Sequence, residues 1–488
     1  MNPGNKHWLI EQSARNPDRT AFLSSNKKVT YLELLQQSLT TSENLNRLGV
    51  QTGSHVGILA LHDYNFFVLI NAIWFIGAVP VPLNNRLTAH EIQEEIRHAK
   101  ISALITDNAF AQKLPSIEFK NTILTEHVLS DKDNATQTTF NPTKFNPENI
   151  ALIMFTSGSS GKQKAVVHTF KSLFSSVTAL NDFAKLSHDN VWLASLSFYH
   201  IGGFMIPVRA LLTGATVAFP NSVSADDTIA ALGEFQPSHI SLVPTSLQRM
   251  IDQNVRPNKN LKYLFLGGGP SEKQLSLQAI ENGLPVVKVY GSTETCSMVT
   301  AMKTDDINSK PKSSGKPLLN CKIKIVDEKQ NSVPSGEAGE IIIQAGSVMK
   351  EYFGDETETR KALHNGWYRT GDYGLIDNEG FLFIESRRDD LIITGGENVV
   401  AKEVQEIILQ NKKVSDAFVF GIDDSTWGQM VCAAVVSENL SEDELKTFLK
   451  LKMAGYKIPK RFYFVDSIPK NEMSKVDRKK LFEKINSR

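Results

Sequence analysis

Cysteine is scarce: 488 residues contain three, Cys296, Cys321 and Cys432. They lie far apart and show no metal-ligand spacing, and they fit a reducing cytosol better than a disulfide framework. Net charge is also missing. Lys+Arg and Asp+Glu both number 53, so the chain lacks the basic excess that nucleic-acid binding draws on. Apolar runs long enough to span a membrane are missing too. The most apolar stretch, 66–83, is broken by Asn71, Gly77, Pro80 and Pro82, and reads as a buried helix followed by a buried strand rather than a membrane span. The first residues, with Asn2, Pro3, Lys6 and His7, lack the apolar core of a signal peptide, so a cytoplasmic location is expected. No internal repeat or low-complexity segment stands out.

What remains is a long, ordinary composition, 41% hydrophobic, enough for a large core and two or more domains. Helical spacing over 32–48 and 91–99 alternates with apolar strands at 56–60 and 103–105, which predicts α/β layers with parallel strands. The polar stretch 131–149 reads as a surface connection. A charged run, Ser386-Arg387-Arg388-Asp389-Asp390, separates strand-like 381–384 from 391–393. It predicts a domain of layered sheets and helices over 1–386 and a small α+β domain over 387–488.

The most informative stretch is Thr156-Ser157-Gly158-Ser159-Ser160-Gly161-Lys162-Gln163-Lys164, which follows the apolar run 150–155. Glycines leave the backbone free to approach a phosphate, while hydroxyls and ammonium groups supply donors and charge. It is not a Walker loop, because only Ser159 and Ser160 separate its glycines and Gln163 follows Lys162. The bland alternative is a flexible Ser/Gly turn. Four further stretches accompany it. They are Tyr290-Gly291-Ser292-Thr293-Glu294, which alone reads as a helix cap; Trp367-Tyr368-Arg369-Thr370-Gly371-Asp372; Thr394-Gly395-Gly396-Glu397-Asn398; and Pro469-Lys470-Asn471-Glu472-Met473-Ser474-Lys475 before a basic helix.

In this order, the five stretches resemble the acyl-adenylate-forming superfamily of acyl-CoA synthetases, luciferases and peptide-synthetase adenylation domains, along essentially the whole chain. The resemblance implies a two-step reaction. A carboxylate attacks the α-phosphate of ATP, diphosphate leaves, and a thiol displaces AMP from the mixed anhydride. It further implies that Thr156, Ser157, Gly158, Ser159, Ser160, Gly161, Lys162 and Lys164 hold the β- and γ-phosphates. Thr293 contacts the α-phosphate and Glu294 helps bind Mg²⁺. Tyr290 and Gly291 belong to the nucleotide site, Asp372 takes both ribose hydroxyls, Arg387 assists at ribose or phosphate, and Gly267, Gly268 and Gly269 form the wall on which adenine stacks. Lys475 bridges the attacking carboxylate and the α-phosphate; its bland alternative is a solvated lysine in a basic tail.

The resemblance also implies a small domain that swings about Asp389. It brings Lys475 to the site for adenylation and Gly395, Gly396, Glu397 and Asn398 for transfer to coenzyme A. Gly395-Gly396 reads equally as a hairpin turn. Where the family pattern has glycine, Ser386 and Ser474 stand; after Asn398, Val400-Ala401-Lys402 replace an aromatic residue and proline.

Thr293 to Ser297, His239 to Pro244, Phe198 to Gly203, Asp424 to Gln429 and Arg387 to Asn398 resemble the branch that activates o-succinylbenzoate for menaquinone biosynthesis. That acid is a dianion of which only the succinyl carboxylate reacts, so the ring carboxylate needs polar anchors. Candidates are His200, Arg209, Ser297 and the backbone near Gly267. His200 is alternatively a gate or packing residue, and Arg209, in a helical pattern, alternatively half of a structural ion pair. Other readings are a fatty or aryl acyl-CoA synthetase, an adenylation domain that loads a carrier protein, and a non-catalytic nucleotide binder. The partners implied are small molecules; a homo-oligomer is compatible with the sequence.

Overall fold

The computed structural model describes residues 6–110, 112–117, 119–129, 140–156, 163–269, 273–386, 391–469 and 476–486. Ser157, Gly158, Ser159, Ser160, Gly161, Lys162, Arg387, Asp389 and Lys475 lie outside the described residues. The chain forms two compact units. One comprises Met1–Asn85, Glu95–Phe155 and Ala165–Arg387; the other comprises Arg86–Glu94, Thr156–Lys164 and Arg388–Arg488.

Local signals start and stop the helices of the larger unit. Thr30 and Glu33 form a capping box: the Thr30 hydroxyl accepts from Glu33 N–H at 3.2 Å and the Glu33 carboxylate accepts from Thr30 N–H at 2.7 Å, opening Tyr31–Arg47. The helix Tyr64–Ile76 is capped by Asp63 and ends at Gly77, whose φ of 77° suits a left-handed stop. Every residue from Phe66 to Ile76 is buried. At 13 residues it is about 20 Å long, short of the roughly 30 Å hydrocarbon layer. Among the described residues no helix is long and apolar enough to cross a membrane. The strand Val79–Pro82 follows, as the apolar run predicts.

The main sheet of this unit has nine strands. From one edge they are Lys316–Pro317, Ser297–Met302, Val286–Ser292, Tyr263–Leu266, His239–Leu242, Val191–Leu193, Thr216–Ala218, Thr20–Ser24 and Lys27–Thr30. The six strands from Val286–Ser292 to Thr20–Ser24 are mutually parallel, and antiparallel strands finish both edges. A parallel block aligns the carboxyl ends of its strands along one rim, where open α/β sheets bind ligands. A second, four-stranded sheet is wholly parallel, and a third joins Ile150–Thr156, Lys164–Thr169 and Glu351–Tyr352.

The smaller unit is α+β. Glu397–Val400, Leu391–Thr394, Gly428–Ser437 and Val414–Asp424 form a sheet in that order, and Arg461–Phe464 pairs alongside Gly428–Ser437. Helices Ala401–Ile408 and Glu442–Lys450 bury Val404, Ile408, Leu445 and Leu449 in the same apolar cluster as Val419, Val431 and Val435 of the sheet.

Candidate active site

Three of the sequence motifs of the larger unit stand at the carboxyl ends of parallel strands. Gly267, Gly268 and Gly269 follow Tyr263–Leu266. Tyr290 and Gly291 end Val286–Ser292, with Thr293 and Glu294 next. His200 stands seven residues beyond Val191–Leu193. Glycine is required at two of these places. A Cβ on Gly267 would sit 2.7 Å from Val289 Cγ2, and one on Gly291 would sit 1.8 Å from the Ser297 carbonyl oxygen.

Read alone, Tyr290 to Glu294 suggests a helix cap, and the structure corrects this: the segment ends one strand and turns into the antiparallel strand Ser297–Met302. The turn is held by its own polar atoms. Ser292 N–H donates to Thr295 Oγ1 at 2.8 Å, and that hydroxyl donates to Ser297 O at 2.9 Å. Cys296 and Ser297 both take left-handed backbone angles, φ 57° and 80°, a conformation that costs non-glycine residues energy and needs enforcement by the surroundings.

The two carboxylates of this site are oriented by tyrosines. Tyr290 donates its hydroxyl to Asp372 Oδ2 at 2.7 Å, and Tyr352 donates to Glu294 Oε1 at 2.9 Å. Met349 N–H holds the Glu294 carbonyl at 2.7 Å. Asp372 lies within the strand Trp367–Ile376, its N–H donating to Thr370 Oγ1. Tyr368 is fully buried, and burial, reinforced by the Glu294 carboxylate, raises its hydroxyl pKa well above the ordinary value. Glu294 suits a hard divalent ion held by one carboxylate and substrate phosphates. Among the described residues no cluster of three or more His, Cys, Asp and Glu could form an all-protein cage.

Among the candidate anchors for the acid, Arg209 is the outstanding group. It lies in the helix Ile201–Thr213, as its pattern predicts, and is 1% exposed. Its Nη2 donates to Ser297 Oγ at 3.2 Å and its guanidinium carbon lies 5.0 Å from the Trp192 ring centroid. Nε and Nη1 are buried with no hydrogen-bond partner. Among the described residues no carboxylate pairs with it, so the structural ion-pair alternative falls. Burial lowers its pKa to about 10, which leaves it charged at neutral pH. Beside it, burial raises the Cys296 thiol to about 12, so this cysteine is an inert packing group. His200 caps the same helix by position but makes no side-chain cap bond; its ring meets Tyr199 at 4.7 Å.

Thr156 ends the strand Ile150–Thr156 and Lys164 opens Lys164–Thr169. In the smaller unit, Gly395 and Gly396, with φ of 57° and 81°, make the two-residue turn between Leu391–Thr394 and Glu397–Val400. That is the hairpin its sequence suggests. Gly395 N–H donates to Trp427 O at 2.7 Å. Glu397 is buried and accepts from Arg86 at 2.9 Å, while Asn398 is exposed.

Sequence reasoning missed His168 and Tyr352. His168 had a signal, a polar ring inside the apolar strand that leaves the glycine-rich stretch; Tyr352, in Met349-Lys350-Glu351-Tyr352, had none.

The chain is similar to known proteins in sequence and fold. The AMP-binding enzyme model matches residues 9–353, and the model of the AMP-binding enzyme C-terminal domain matches residues 403–475. The 2-succinylbenzoate–CoA ligase of Bacillus cereus (strain Q1) is 34% identical over 481 residues, covering 97% of this chain and 98% of its own. Among solved structures, a double mutant of o-succinylbenzoate CoA synthetase from Bacillus subtilis, bound with its product analogue OSB-NCoA, superposes with a TM-score of 0.92 at 32% identity over 98% of each chain. The enzyme from the same organism in complex with ATP and magnesium ion gives 0.75 at 31% identity, covering 97% of this chain and 99% of that one.

Proposed function

The chain belongs to the AMP-binding enzyme family, and from that premise we propose that it is an acid–thiol ligase of menaquinone biosynthesis. It converts o-succinylbenzoate, ATP and coenzyme A to the succinylbenzoyl thioester, AMP and diphosphate. The observation that carries this reading is Arg209, a fully buried cation with two unpartnered donors, tied through Ser297 to the Thr293–Glu294 turn. A cation so placed, at the cost of its own desolvation, calls for an anionic substituent on the acid. A fatty acid offers none.

The reaction divides among this chain's residues. The succinyl carboxylate attacks the α-phosphate while Thr293 and Lys475 stabilise the charge that develops there. Asp372, one oxygen of which accepts from Tyr290, offers its other lone pairs to the ribose. Thr156 to Lys164 hold the outer phosphates, Arg387 assists at the ribose, and Gly267 to Gly269 wall the adenine. Glu294 would hold the Mg²⁺ that arrives with ATP, which would supply charge neutralisation for the diphosphate leaving group. Arg209 and Ser297 grip the ring carboxylate, with His200 and the backbone near Gly267 as further anchors. In the second step the Gly395-Gly396-Glu397-Asn398 hairpin serves the thiol, with Asp389 as hinge between domains 1–386 and 387–488. The scattered cysteines and small-molecule substrates support a cytoplasmic setting.

Diphosphate release with o-succinylbenzoate, benzoate and octanoate tests the reading: o-succinylbenzoate is expected to be preferred, and equal turnover of octanoate would overturn it. Lys475→Ala is expected to abolish acid-dependent diphosphate release while a supplied acyl-adenylate still transfers to coenzyme A; equal loss in both half-reactions would remove Lys475 from its role.

A further inference from the structure

His168 has no part in the roles above, yet it holds the centre of the adenylation turn. Its ring is fully buried in the strand Lys164–Thr169. Nε2 lies 2.7 Å from the Thr293 carbonyl oxygen and Nδ1 lies 3.1 Å from Ser172 Oγ. A carbonyl only accepts, so Nε2 carries the hydrogen. In the neutral ring Nδ1 is then a bare acceptor beside Ser172 Oγ, which receives Thr169 N–H at 3.1 Å and whose single proton is shared between Nδ1 and the Thr169 carbonyl oxygen at 2.9 Å. The tautomer is thus set by the Thr293 carbonyl.

The Thr293 carbonyl also accepts from Cys296 N–H at 3.0 Å, and the next carbonyl, that of Glu294, accepts from Met349 N–H. Two consecutive peptide planes are therefore fixed just before two left-handed residues. Such a turn persists only where its neighbours over-determine it. We propose that His168 is a positioning residue for adenylation: its imidazole pins the Thr293–Glu294 peptide, and so aims both side chains, from the strand that leaves the glycine-rich stretch. The inference rests on the proposed adenylation role of Thr293 and Glu294.

Three variants test it. Gln places an amide nitrogen near the position of Nε2, Asn is too short to reach, and Leu fills the space without a donor. His168→Leu and His168→Asn are expected to lower the rate constant of diphosphate release by about 10- to 100-fold, the range for loss of a supporting partner of a site group. KM for the acid and transfer from a supplied acyl-adenylate should stay near wild type, and His168→Gln should recover most of the rate. A purely packing role would instead spare adenylation in His168→Leu, or leave Gln no better than Leu; either result overturns the proposal. Should the Leu variant fail to fold, the Asn and Gln pair makes the same comparison. Calorimetric binding of AMP, independent of which acid is the substrate, should weaken in Leu and Asn and recover in Gln. If wild type binds AMP in this pattern yet turns over none of the acids, the acid assignment fails and the positioning role stands; unchanged AMP affinity in all three variants sinks the positioning role itself.

Discussion

Two helices of 13 residues run through the core of the larger unit, Tyr64–Ile76 and Ile201–Thr213, and they treat polar atoms oppositely. In the first, Asn71 donates to Phe67 O at 2.8 Å and Trp74 Nε1 to Ala151 O at 2.7 Å. Its buried donors are spent inside the protein, and the helix is scaffold. In the second, Arg209 keeps two donors idle in a place where idle donors are costly. Burial alone therefore says little about function; the balance of donors and acceptors separates the helix whose buried donors are spent from the one proposed to bind the acid.

Arg209→Met offers the sharpest break in that comparison. It is expected to lower kcat/KM for o-succinylbenzoate by roughly four orders of magnitude, as loss of a polar partner does, while thermal stability holds or rises, because an uncompensated buried charge is removed. The analogue 4-phenyl-4-oxobutanoate, which lacks the ring carboxylate, should suffer a similar loss with wild type and little further loss with the variant. A drop in melting temperature together with undiminished discrimination would return Arg209 to the scaffold.

The scaffold helix should answer in reverse. Ile73→Ala, at a fully buried position, is expected to cost about 2–5 kcal/mol in denaturant unfolding and leave kcat of the folded enzyme near wild type. A selective loss of kcat would show that this helix also shapes the site.

A third test contrasts Arg209 with bases that shed their charge. Burial lowers His62 and His168 to about 4 and His239 to about 3. Each is neutral in the fold and takes up a proton on unfolding below pH 6.5. Stability is then complete above pH 6.5 and falls with pH toward 4, by up to about 1.4 kcal/mol per pH unit per imidazole. Arg209, charged in both states across that window, adds no slope. Urea midpoints from pH 7 to 4.5 check this, and His239→Phe should flatten the curve; an unchanged slope would contradict a neutral His239. The smallest effect belongs to Asn71→Leu, within about 1 kcal/mol of wild type and without change in turnover, since the Phe67 carbonyl keeps its helical partner.

The same contrast explains what could be read from sequence. The apolar run 66–83 announced its helix and strand because periodicity and glycine and proline punctuation act locally. Arg209 and Ser297 were legible as polar residues in apolar surroundings, but their pairing, 88 residues apart, was not. The turn at Tyr290 to Glu294 misled because residues beyond the motif share in fixing it: the Ser297 carbonyl against Gly291 and the bond from His168 to Thr293 add to the turn's own hydrogen bonds. Tyr352 was invisible for the same reason: its role comes from a partner 58 residues away.

The nine-stranded sheet has a consequence for how the chain is made. Its strand Thr20–Ser24 pairs with Thr216–Ala218, and Thr216 donates to Thr20 O across 196 residues of sequence. At about 5–20 residues per second, a ribosome needs roughly 10–40 s to supply that partner. Through that interval the apolar edge at Ala21 and Phe22 waits without its sheet, exposed to wrong pairings. Residues 20–24 are thus made well before the strand they pair with, and a chaperone that shields them during translation would raise yield more than one acting after release.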